Sequence, residues 1–68
     1  MEKVNTRKEL IDRLEELKAV EKNARKGYEA DLMTFTNLEI KQKIQRIKED
    51  EDKHIKLFEE MIDMLRNA

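Results

Sequence analysis

Apolar residues recur at alternating steps of four and three along two long stretches of the chain, the spacing that keeps side chains on one stripe of an α-helix. In the first stretch the stripe runs Leu10, Leu14, Leu17, Glu21, Ala24, Tyr28, Asp31 or Leu32, and Phe35. In the second it runs Ile40, Ile44, Ile47, Glu51, His54, Phe58, Met61 and Leu65. The chain holds no proline and one glycine. Its only internal weak point is therefore Gly27, which costs roughly 1 kcal/mol against alanine inside a helix. Thr6-Arg7-Lys8-Glu9 and Thr36-Asn37-Leu38-Glu39 both have the form of a capping box, in which the threonine hydroxyl accepts from a free backbone N–H and the glutamate reaches back. Phe35 and Ile40 stand at the positions of a hydrophobic staple around the second box. The expected fold is all-α: helix 1 over about 7–33 and helix 2 over about 37–66, joined by a tight turn into an antiparallel hairpin, with residues 1–68 forming one domain.

A hairpin of 68 residues buries too little apolar surface to stand alone, and without cysteine there is neither a disulfide nor a thiolate metal site to reinforce it. Association with a second copy, as a homodimer or a higher even oligomer making a four-helix bundle, is the expected remedy. Charged residues make up 46% of the chain, yet the net charge is -1 and the two signs are interspersed, so no basic stripe suits nucleic acid or a membrane surface. The apolar runs are short, and Met1-Glu2-Lys3 opens no secretory signal, which makes cytoplasmic the expected location.

Three residues break the apolar stripe: Glu21, Glu51 and His54. If the chain reverses near Phe35 and Thr36, then Glu21 lies level with Glu51, Leu17 with His54, and Ala24 with Ile47. Both glutamates fall near the midpoint of their helix, so a two-fold axis at that level would gather four glutamates and two histidines from two copies. Four carboxylates close together in a dry core need compensating charge, which two divalent cations supply. Carboxylate oxygens with one imidazole per metal suit iron, and manganese fits the same donors. Glu51 and His54 are spaced i, i+3 and so reach the same metal from one helix face. The competing explanation is a dimeric hairpin in which the polar seam residues only fix register. By the same spacing, the charges from Lys48 to Lys53, apart from Glu51, read as a solvated face, Asp31 as a residue near the turn, and Tyr28 as core.

The run Glu21-Lys22-Asn23-Ala24-Arg25-Lys26-Gly27-Tyr28, with Glu51-Asp52-Lys53-His54 and the interval of 30 residues between the glutamates, resembles the ferritin-like di-iron carboxylate family. The first helix is similar to that of rubrerythrins, and the interval to that of encapsulated ferritins, whose two-helix subunits complete a di-iron site only by pairing. The resemblance implies Glu21 as a carboxylate shared between metals, Glu51 and His54 as second-helix ligands, and Tyr28 as a residue beside the site. It also implies two irons per dimer and oxidation of Fe(II) by dioxygen or peroxide. Rubrerythrins carry a Cys-rich electron-transfer domain, so peroxidase turnover here would draw on an external electron donor. Encapsulated ferritins carry a C-terminal tag that directs them into a protein shell; Leu65-Arg66-Asn67-Ala68 has no such form. Val20, Asn23 and Gly27 stand where that family places acidic and aromatic residues at the iron entry.

Overall fold

The computed structural model of the protein describes residues 6–67; Met1-Glu2-Lys3 and Ala68 lie outside them. Two helices, α1 (Arg7–Thr34) and α2 (Leu38–Arg66), pack against each other as a hairpin. The start of α1 follows the capping box: the Thr6 side chain accepts from the Glu9 backbone N–H at 3.1 Å. The start of α2 does not. Asn37 is the cap, its side-chain oxygen accepting from the Ile40 N–H at 3.0 Å, so neither the Thr36 box nor the staple built on it forms: the third residue after the cap is Ile40 rather than a glutamate, and the staple positions fall on Thr36 and Lys41. The physical reason is that the asparagine amide oxygen caps at least as well as a threonine hydroxyl, and the two stood side by side. At the turn, the Phe35 N–H closes α1 on the Asp31 carbonyl.

The hairpin measures 47 × 25 × 15 Å, which is one layer of two helices, with nothing over either flank among the described residues. Burial is correspondingly thin. Among the described residues only Ile55 and Ile62 are buried, at 7% and 2% exposure, and α1 buries none. Neither isoleucine belongs to the stripe expected from the sequence. The residues that α2 turns toward α1 are Ile44, Lys48, Glu51, Ile55, Phe58, Ile62 and Leu65, also spaced by threes and fours. Half of the expected stripe is thereby displaced: Ile40, Ile47, His54 and Met61 are exposed. The error has a plain cause. α2 is apolar over an arc wider than one neighbouring helix can cover, and a stripe drawn through that arc can follow either edge. Ile44, Glu51, Phe58 and Leu65 lie on both edges, so the hairpin register survives.

Gly27 has no close helix contact to explain it: a Cβ built there meets nothing within 4 Å. None of the described helices is long and apolar enough to cross a membrane.

With the packed interior concentrated on two side chains, Ile62→Ala should lower unfolding free energy by about 2–4 kcal/mol, and Met33→Ala, at a residue 90% exposed, by less than about 0.5 kcal/mol. Equilibrium urea unfolding followed by circular dichroism measures both; equal losses would mean that the interior lies elsewhere.

Candidate metal centre

Glu21 projects from the middle of α1, and Glu51 and His54 project one turn apart from the middle of α2. Each offers one donor atom, and the three atoms lie within 4.8 Å of one another. His54 Nδ1 is 3.7 Å from Glu21 Oε2, longer than a hydrogen bond. Two ligands held about 2.1 Å from one ion lie roughly 3–4.2 Å apart, depending on the angle between them. The observed spread therefore closes on an ion with side-chain movements of well under an ångström each. The level expected for Glu21 against Glu51 is the one the hairpin adopts.

Burial within the group is uneven. The Glu21 side chain is 25% exposed and that of His54 52%, whereas Glu51 Oε2 is fully buried and has no hydrogen-bond partner. A buried carboxylate oxygen without a donor is costly, on the order of 1–3 kcal/mol or more, and proteins almost always satisfy such atoms. A cation among the three donors would satisfy it. The donors thus fit a divalent ion in kind and in spacing, and one of them carries an oxygen left without a partner; the other such atom among the described residues, Arg25 Nε, lies on the opposite flank. Tyr28 is half-buried in the same seam, beyond Ala24.

The opposite flank is built from paired charges. Arg25 Nη1 donates to Asp52 Oδ1 at 2.9 Å, Lys48 approaches Glu29 at 4.0 Å, and Arg66 approaches Glu15 at 3.3 Å; all three pairs join the two helices. The hydrogen bond that Arg25 donates to Asp52, and the negative charge of that carboxylate, hold the Arg25 guanidinium above its ordinary pKa. Lys48 and Asp52 are therefore not part of a merely solvated face, as the charge run suggested. Asp52 sits beside Glu51 in sequence and Arg25 beside Ala24, so each occupies the edge of the seam, where a long side chain reaches across to the other helix. That edge position was the available signal.

Comparison with protein-family models, curated proteins and solved structures returns no match to the chain.

Arg25–Asp52 is solvent-accessible, with side chains 40% and 43% exposed, so its contribution should be modest and sensitive to salt. Asp52→Asn should lower the melting temperature by a few degrees at low ionic strength and hardly at all in about 1 M salt, where screening is strong. A loss independent of salt, read by differential scanning calorimetry, would assign Asp52 a packing role instead.

Proposed function

We propose that the hairpin pairs with a second copy as a ferritin-like four-helix bundle, and that Glu21, Glu51 and His54 of both copies hold two iron ions at a shared centre that oxidises Fe(II) with dioxygen or peroxide. The observation that carries this reading is that Glu21, Glu51 and His54 each place a donor atom within 4.8 Å of the other two, while Glu51 Oε2 is buried without a hydrogen-bond partner. One chain supplies two carboxylates and one imidazole, which leaves an ion's coordination incomplete on the exposed side of His54. A second copy placed against that side completes it, and the four negative charges then balance two divalent ions. Manganese satisfies the same donor set.

Iron bound there supplies one-electron chemistry toward oxygen. The residues of the chain supply the rest: Glu21 and Glu51 hold positive charge at a fixed level between the helices, and His54 offers Nδ1 on the same side. Half-buried apolar residues on either side, Leu14 and Phe58 toward the chain ends and Ala24 and Ile44 toward the turn, restrict water. Tyr28 lies one layer away as a nearby phenol. Peroxide turnover would require an electron donor outside the chain.

Metal analysis of protein purified without oxygen should give about one ion per chain, and Fe(II) oxidation followed by absorbance should disappear in Glu51→Ala. Because the separated, unfolded chain lacks the preformed site, Fe(II) or Mn(II) should raise the melting temperature, and acid should release the metal as the ligands take up protons. Protein that stays metal-free and inert sinks the reading.

A second reading has one observation in its favour: the approach of His54 to Glu21 at 3.7 Å, which needs no metal if the imidazole is protonated. The hairpin would then be a non-enzymatic structural module whose polar residues fix register. Under that reading, Glu21→Leu, Glu51→Leu and His54→Leu together leave association intact and increase stability; under the first, they remove metal binding and oxidation.

A further inference from the structure

Each glutamate of the candidate centre has four neighbours on the surface of its own helix, the residues three and four positions before and after it. For Glu21 these are Leu17, Lys18, Ala24 and Arg25; for Glu51 they are Ile47, Lys48, His54 and Ile55. Three of these neighbours are cations. A glutamate so placed readily pairs with a lysine or arginine, and the order of Glu21 and Arg25, acid first and cation four residues later, is the favourable one. Yet among the described residues neither Glu21 nor Glu51 lies within ion-pair distance of a lysine or arginine, because each of the three cations meets another carboxylate instead. Lys18 Nζ lies 3.2 Å from Glu15, Arg25 Nη1 donates to Asp52 at 2.9 Å, and Lys48 Nζ lies 4.0 Å from Glu29.

Resting on the metal-centre reading, we propose that Glu15, Glu29 and Asp52 keep Glu21 and Glu51 unpaired, and so open to a metal ion, by holding Lys18, Arg25 and Lys48 on the flank crossed by the interhelical pairs. The three acids touch no metal; they are positioning residues. A lysine or arginine settled on Glu21 or Glu51 would satisfy the carboxylate, and an incoming divalent ion would have to displace it and then bear its repulsion. The affinity of the site for metal therefore depends on how firmly the three cations are held elsewhere.

Three observations separate this role from pairs that serve only to close the hairpin. The contact of Lys18 with Glu15 lies within α1 and joins no helix to another, so closure does not account for it. The Lys18 and Lys48 side chains are only 19% and 23% exposed, which places their stems along the seam. There the neighbouring glutamate is within reach, helix positions three apart having Cβ atoms about 5–6 Å from each other. The Arg25 guanidinium is incompletely satisfied: its Nε is buried without a hydrogen bond, 3.7 Å from Glu29. Released from Asp52, it carries a spare donor toward Glu21, four residues before it. The buried Glu51 Oε2, which has no partner, is the acceptor that Lys48 would take if Glu29 did not draw it away.

Asp52→Asn with Glu29→Gln releases Arg25 and Lys48 together. Titration of the full chain with Mn(II), read by the electron paramagnetic resonance of the free ion, should then show an affinity roughly tenfold weaker, since two accessible ion pairs now compete with the metal. Adding Arg25→Gln and Lys48→Gln to that chain should return the affinity to within about twofold of wild type. The fourfold variant lacks these pairs altogether, so its recovery separates the holding of the cations from any loss of hairpin stability. Adding Lys22→Gln and Lys26→Gln instead removes the same charge at exposed positions outside the three- and four-residue spacing from Glu21, and should restore little. An unchanged affinity in the released chain, no recovery in the fourfold variant, or equal recovery with Lys22 and Lys26 overturns the proposal. Melting of the metal-free protein gives an arm that needs no ion. Glu51→Gln should raise the melting temperature of the wild-type chain, where it removes a charge with an unsatisfied buried oxygen, and lower it in the released chain, where it removes the partner of Lys48. The same sign in both chains refutes the release of Lys48 to Glu51. Wild-type protein that takes up no Mn(II) removes the metal-centre reading, and the melting arm then decides the holding of the cations by itself; Mn(II) bound with equal affinity by the wild-type and released chains removes this proposal and leaves that reading in place.

Discussion

Two helices of nearly thirty residues offer more apolar surface than they can cover for each other. A helix in contact with one neighbour buries a single stripe, yet α2 is apolar from Ile62 and Ile55 on one edge round to Met61, Ile47 and Ile40 on the other. The hairpin settles this by turning one edge inward. Everything else about the molecule follows from the edge left outside: the thin interior, the open groove at the chain ends, and the half-exposed position of His54.

Charge divides the two edges. On the closed flank, Arg25, Lys48 and Arg66 reach across to acidic residues of the other helix. A row of such pairs tells the two sides of a flat hairpin apart, because a second layer laid over them would have to strip water from several charges at once. On the open flank the polar residues are few, and those nearest the seam are the three with metal-binding chemistry. Each surface pair is weak. Their arrangement matters more for orientation than for stability, since together they make one face costly to bury and leave the other available.

Much of this was legible in the sequence because helices encode their faces in short spacings. The two elements, the turn and the level of Glu21 against Glu51 came from the positions of apolar residues and from where the chain must reverse. Less was legible wherever two local solutions competed. Thr36 and Asn37 are both good caps, and only the geometry of the turn decides between them. Ile47 and Lys48, His54 and Ile55, and Met61 and Ile62 are adjacent in sequence, so a shift of one residue changes which of each pair faces α1 while leaving the period unchanged. The Arg25–Asp52 contact was hidden for a related reason: charges at seam edges look like solvent-facing charges until the partner helix is in place.

The same one-residue ambiguity bears on the candidate metal centre. His54 lies on the outer edge of the stripe and Glu51 at its centre, so one candidate ligand points partly out of the hairpin while the other is half-buried, with its Oε2 out of reach of water. A site built this way does not close inside one chain. If two copies share it, the ions and the second layer of helices are bound in the same step, and neither metal affinity nor dimer affinity is a property of the single hairpin. Metal would then hold together a chain too short to bury its own apolar face, and the covering of that face would exclude water from the carboxylates that hold the metal. The structural need and the chemical one would be met by a single association, which is the economy open to a chain of this length without disulfides.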